Sequence, residues 1–208
     1  MPSPKAGAER VDPQNVQLAK EALRATVRAS RSARADEDRL SDDLARTDLL
    51  LSTMSRWRPR LVAAYASSGN EPGTMDLLDA LVSRGATVIL PVLSATLDGP
   101  RRRAEWAVYE GRSALRSGLW GIPEPSGELL GPAAIGQADL VLMPGLAGTR
   151  GGDRLGTGGG WYDRALAGTG SPRWMLLNED ELYESLPLDP WDLPVSTIVL
   201  PTRVVRCG

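Results

Sequence analysis

Residues 139–147 read Asp-Leu-Val-Leu-Met-Pro-Gly-Leu-Ala, residues 148–153 Gly-Thr-Arg-Gly-Gly-Asp, and residues 154–163 Arg-Leu-Gly-Thr-Gly-Gly-Gly-Trp-Tyr-Asp. The run Ala138 to Met143 is short and apolar without alternation, the pattern of a strand buried on both faces. Pro144 and Gly145 end it. The glycines at 156, 158, 159 and 160 then form a loop that leads into a helix beginning near Trp161. In parallel α/β sheets ligands collect at the carboxyl ends of strands, where helix N-termini offer free amides to phosphate. Glycine lets those N–H groups approach the oxygens with no Cβ in the way.

The same reading extends to both sides of this segment. Leu61 to Ala66, Thr87 to Leu93, Glu105 to Tyr109, Arg173 to Leu177 and Thr197 to Leu200 read as strands. Thr74 to Ser83 reads as a helix stopped at Gly85, and Leu182 to Leu186 as a short helix. The stretch from Gly118 to Pro132 reads as loop, because its prolines cannot donate to a ladder. Arg101 to Arg103 reads as a surface turn. Two helices precede the first strand. Gln14 to Ala33 carries apolar Val16, Ala19, Leu23 and Val27 at helical spacing, and Asp36 to Ser55 opens with acidic residues that complement the helix dipole. Strands alternating with helices imply an α/β fold, a single Rossmann-like three-layer domain (residues 14–208) with a mostly parallel sheet, after a disordered tail of residues 1–13.

Composition narrows the chemistry. Hydrophobic residues make up 42% of the 208, and the net charge of -2 provides no field for nucleic acid. No apolar run approaches the roughly 20 residues that cross a bilayer, and the polar N-terminus lacks the core of a secretory signal, so a soluble cytoplasmic protein is expected. The single cysteine, Cys207, permits no intrachain disulfide and no thiolate metal cluster. With no histidine in the chain, triads, His-bearing zinc motifs and the commonest general base are all excluded. Carboxylates, cationic side chains, backbone amides or a bound ion must carry any reaction.

The glycine loop fits neither familiar phosphate motif. No Gly-Lys-Ser/Thr follows, and the dinucleotide fingerprint needs glycine where Trp161 stands. In the first helix Lys20, Arg24 and Arg28 lie four apart along one stripe, with Arg31 close to the same side; taken alone, such a stripe is a solvated charged face.

Pro144-Gly145-Leu146-Ala147, then Arg154-Leu155-Gly156, then Gly158-x-Gly160-x-Tyr162-Asp163-Arg164 resembles the signature of the 5-formyltetrahydrofolate cyclo-ligases, also called methenyltetrahydrofolate synthetases. The resemblance extends, in family order, to Lys20-x-x-x-Arg24, Glu71-x-x-Thr74, Gly121-Ile-Pro-Glu-Pro125 and Leu186-Pro187 followed by Asp192. It implies an ATP- and Mg²⁺-dependent closure of 5-formyltetrahydrofolate, with or without a polyglutamate tail, to 5,10-methenyltetrahydrofolate, releasing ADP and phosphate. No obligate protein partner is implied. Residue by residue, Lys20 and Arg24 resemble the ATP-contacting pair, which turns the basic stripe into a phosphate clamp. Arg154, Leu155, Gly156, Thr157, Gly158, Gly159, Gly160, Trp161 and Tyr162 resemble the ATP loop, with Lys20 and Arg154 as its catalytic cations. Thr157 to Trp161, with Ala66 and Glu71, match positions that touch folate. Asp163 and Asp192 resemble the magnesium carboxylates.

The chain has Gly148-Thr149 where the family continues Phe-Asp, which implies the loss of an aromatic contact and a carboxylate beside the site. Thr157, Gly159 and Ser196 also differ from the usual residues. These positions motivate an alternative reading, a relative that binds nucleotide or folate without efficient turnover.

Overall fold

The computed structural model describes residues 13–94, 104–166 and 169–208. Arg101 to Arg103 and residues 1–12 of the expected tail lie outside them; Pro13 already opens the first helix, where its missing N–H costs nothing. In chain order the helices and strands are α1 (Pro13–Ala33), α2 (Asp36–Thr53), β1 (Leu61–Ala63), α3 (Met75–Ser83), β2 (Thr87–Val92), β3 (Glu105–Val108), β4 (Leu115–Ser117), β5 (Pro123–Pro125), β6 (Leu140–Met143), β7 (Ala147–Thr149), β8 (Arg154–Leu155), α4 (Trp161–Ala165), β9 (Arg173–Leu176), β10 (Leu182–Tyr183), β11 (Thr197–Val199) and β12 (Val204–Arg206). No helix among the described residues is long and apolar enough to cross a membrane.

The principal sheet runs β12-β11-β9-β6-β1-β2-β3. Its five central strands are parallel, and the edges β3 and β12 are antiparallel. Side chains of successive strand residues leave opposite faces, so each buried run feeds two cores. Val62, Val88, Leu90, Leu140, Leu142 and Leu176 pack with Leu50 and Leu51 of α2 and Leu77, Leu78 and Leu81 of α3. Ala63, Ile89, Val141, Met143, Met175 and Ile198 face the other way, against Trp106, Ile135, Tyr162 and Leu166. The sheet therefore lies between helical layers, the α/β arrangement expected.

The chain winds outward from β1 to β2 and β3 on one side, then returns to β6 and continues to β9, β11 and β12 on the other. The strand order reverses between β1 and β6, which are paired through Val62↔Leu140 and Ala63↔Val141. The loops leaving these two neighbours diverge and open a crevice at their carboxyl ends. Behind β1 the loop is tightly closed: Thr74 Oγ1 donates to the Tyr65 carbonyl at 2.8 Å and accepts from the Ser67 N–H at 2.9 Å. That closure holds Ala66, Ser68 and Glu71 at the crevice.

Three local expectations are corrected. Leu182 to Leu186 is not helical. A 3₁₀ turn spans Glu179–Glu181, and β10 then pairs parallel with β7. A reciprocal cap between Asn178 and Glu181 fixes the start of the turn, and Leu182 leaves it in extended backbone. The supposed loop from Gly118 to Pro132 contains β5, paired antiparallel with β4. Its prolines are tolerated in a two-stranded ribbon whose flanking bonds run from Gly118 N–H to the Ile122 carbonyl and from Ser126 N–H to the Ala114 carbonyl. Finally, the apolar stripe of α1 does not bury that helix alone: Val27 is buried and Val16 and Leu23 are half-buried, but Ala19 is exposed, and the basic Lys20 and Arg31 are buried as well.

Candidate functional site

The crevice is a cavity of about 710 Å³, a size usual for small-molecule sites. Every residue that the sequence marked lines it: Lys20, Arg24, Ala66, Glu71, the run Arg154 to Tyr162, Asp163 and Asp192. Four segments supply them, namely the face of α1, the loop after β1, the loop between β8 and α4, and the segment before β11.

The glycine loop is held by arginines through its carbonyls. Arg24 Nε donates to the Gly156 carbonyl at 3.0 Å, Arg28 Nη2 to that of Thr157 at 3.1 Å, and Arg164 Nη2 to that of Gly159 at 2.8 Å. The N–H groups of Gly156 to Gly160 make no hydrogen bond among the described residues. Gly158 at φ +106° and Gly160 at φ +62° adopt backbone that a side chain would strain. The loop thus turns its carbonyls toward cations and keeps its donors available.

Two sets of ion pairs line the cavity. Lys20, only 4% exposed, places Nζ 2.6 Å from Asp189 Oδ2 and 2.5 Å from Asp192 Oδ2. Arg154, 6% exposed, donates through Nη2 to Asp163 Oδ1, while its buried Nε has no hydrogen-bond partner among the described residues. The same Asp163 oxygen accepts from the backbone N–H of Leu193, the residue after Asp192, at 3.4 Å. Among the described residues no group of three or more His, Cys, Asp or Glu could hold a metal alone.

Apolar and aromatic side chains, among them Tyr65, Leu93, Trp106, Trp120, Ile122 and Tyr162, form another part of the wall. Trp106 meets Tyr162 edge-on, with ring centroids 6.2 Å apart, and the Tyr162 hydroxyl donates to the Ala64 carbonyl at 3.2 Å. Burial pushes the Tyr162 phenol well above its ordinary pKa, so it remains a neutral donor. Glu71 accepts from the Ser68 N–H at 2.9 Å. Burial nevertheless raises its pKa, outweighing that hydrogen bond and the nearby Arg31 charge.

The sequence profile of the 5-formyltetrahydrofolate cyclo-ligase family matches residues 16–201, nearly the whole of this architecture. The chain belongs to that family. It is an enzyme of the ligase class. It is 36% identical over 146 residues to the 5-formyltetrahydrofolate cyclo-ligase of Mycolicibacterium smegmatis, covering 69% of this chain and 75% of that one. To the cyclo-ligase of Escherichia coli K12 it is 30% identical over 146 residues, covering 69% and 79%. The solved structure of Aquifex aeolicus 5,10-methenyltetrahydrofolate synthetase superposes with a TM-score of 0.75 at 28% identity, covering 90% of this chain and 92% of that one.

The cavity of this cyclo-ligase family member also contains residues that the sequence reading passed over. Asp189 lies three positions before Asp192, and its backbone N–H donates to Asp192 Oδ2 at 2.9 Å, a local side-chain-to-backbone bond that the Asp-x-x-Asp spacing could have signalled. Trp106 and Trp120 flank segments read only as strand and loop. Trp191 carried no signal beyond its adjacency to Asp192. Conversely, Gly148 and Thr149 do not line the cavity. They belong to β7, where a Cβ at 148 would come within 2.7 Å of Ile198 Cδ1 and 2.8 Å of Met175 Cε, and where the buried Thr149 hydroxyl donates to Asp153 at 2.9 Å. The expected loss beside the site at these two positions is therefore a change inside the hairpin core.

Proposed function

We propose that this cavity binds ATP with Mg²⁺ beside its ion pairs and 5-formyltetrahydrofolate against its apolar wall, and that the chain closes the folate to 5,10-methenyltetrahydrofolate with release of ADP and phosphate. The observation that carries this reading is the pairing of each cation with the carboxylate suited to the ion, Lys20 with Asp192 and Arg154 with Asp163. On binding, Lys20 and Arg154 trade a carboxylate for a phosphate oxygen, and Asp192 and Asp163 trade a side-chain cation for the ion. No buried charge is left alone by the exchange.

The donor set fits this ion. Two carboxylates, with remaining positions left to water and phosphate, is how proteins commonly hold Mg²⁺, and neither sulfur nor imidazole is offered. When bound, the ion neutralises charge on the phosphate oxygens.

The formamide oxygen is a poor leaving group. Transfer of the γ-phosphoryl to that oxygen makes the formyl carbon electrophilic; the neighbouring N10 attacks it and gives up its proton to solvent, and the C–O bond breaks as phosphate departs with the oxygen. Phosphoryl transfer needs positioning and charge neutralisation more than proton shuttling, which suits a chain without histidine. Lys20, Arg24 and Arg154 neutralise the phosphates, and the free N–H groups of Gly156 to Gly160 cradle them. Ala66 leaves room for the ring system, and Glu71 accepts from its N–H donors.

Purified protein given ATP, Mg²⁺ and 5-formyltetrahydrofolate is expected to generate the near-ultraviolet absorbance of the methenyl product, and to do so only with all three present. A flat trace from folded, ATP-binding protein would reject turnover and favour the binding-only alternative.

A further inference from the structure

Trp191 is a large apolar side chain left 69% exposed, although it lines the cavity. It sits inside the Asp189–Asp192 turn, closed by the Asp192 N–H to the Asp189 carbonyl at 3.1 Å and anchored by Lys20 on both carboxylates. Its ring has no aromatic or cationic partner among the described residues. The indole therefore adjoins Asp192, assigned to the ion, on the turn that Lys20 clamps, with an exposed π-face at the cavity. An exposed indole mounted on a hydrogen-bonded turn beside an anion site is an arrangement suited to stacking a nucleobase, because every base has a π-face while the backbone charges are held separately.

We propose that Trp191 is the stacking platform for the purine of the nucleotide, a binding role distinct from the phosphate clamp. The proposal rests on the nucleotide reading above and adds the position of the base. It also makes the turn bifunctional: its carboxylates serve the ion and Lys20, and its indole serves the base. Adenine and guanine nucleotides should then bind better than cytosine and uracil nucleotides, since the larger ring overlaps the indole more.

Calorimetry on wild-type protein and Trp191→Ala, each titrated with ATP and with inorganic tripolyphosphate in the presence of Mg²⁺, tests this. Trp191→Ala is expected to weaken ATP by about tenfold to a hundredfold while leaving tripolyphosphate within about twofold, and Trp191→Phe to keep most of the ATP affinity. A Trp191→Ala protein that binds ATP like wild type, or that loses tripolyphosphate as much as ATP, would overturn the stacking role. So would a variant that keeps its ATP affinity but loses 5-formyltetrahydrofolate, because the platform would then belong to the pteridine. Wild-type protein that binds tripolyphosphate and ATP equally would overturn the platform alone, whereas wild-type protein that binds neither would overturn the nucleotide reading itself.

Discussion

Lys20 reaches from α1 to Asp192, 172 positions away, and closes its Nζ to 2.5 Å from the carboxylate. This contact decides which way the basic stripe of the first helix faces. Lys20 is buried against the Asp189–Asp192 turn, and Arg24 and Arg28 follow it down the helix onto consecutive carbonyls of the glycine loop.

Lys20→Ala should raise the Michaelis constant for ATP at least tenfold, since charge-assisted hydrogen bonds contribute about 1.5–3 kcal/mol each. Steady-state kinetics with saturating folate would check it. An unchanged constant would return Lys20 to a purely structural contact between α1 and the turn.

Asp163→Asn should keep the fold and lose activity by about a hundredfold or more, the scale seen when one preorganised electrostatic group is removed from a site. The neutral amide still accepts from Arg154 but holds a divalent ion poorly. Turnover against Mg²⁺ concentration would show the loss, with circular dichroism as the fold control; wild-type turnover would remove Asp163 from the ion site.

Arg31→Met tests a buried pair outside the reaction. Arg31 and Glu181 are 3% and 1% exposed, joined by bonds of 2.7 and 2.8 Å, and a second arginine N–H donates to the Gly145 carbonyl at 2.7 Å. Removing one partner strands the other charge, so a loss of about 3–5 kcal/mol is expected in urea unfolding. The double variant Arg31→Met, Glu181→Gln, which removes the stranded charge but keeps an oxygen to accept from Asn178, should recover much of that loss. Equal loss in the single and double variants would contradict the ion-pair account.

Glu71→Gln should stabilise the protein in a pH-dependent way. Burial raises the native pKa, so above the unfolded glutamate's value of about 4.3 the unfolded chain releases its proton first and native stability falls until the native pKa is passed. The variant should therefore melt above wild type at neutral pH and match it near pH 4, while losing affinity for folate. A melting difference independent of pH would show that the gain is not the carboxylate's ionisation.

The residues themselves carried the layering of the fold. The apolar runs at β1, β2, β6, β9 and β11 alternate between two cores, and period-two geometry assigns each face without knowledge of its partner. Glycines at 158 and 160 likewise declared a backbone that only glycine adopts freely. Tertiary structure alone decided the rest. A helical stripe of cations is identical on the wheel whether water or carboxylates face it, and the carboxylate partners of Lys20 and Arg31 lie at least 150 residues along the chain. Strands of two or three residues such as β5 and β10 are too short to show a period, so their pairing comes from the neighbours that receive them. Burial that places Lys20 and Arg154 against Asp192 and Asp163 is a property of the closed crevice, because electrostatic partners are chosen by distance in space and the sequence records only distance along the chain.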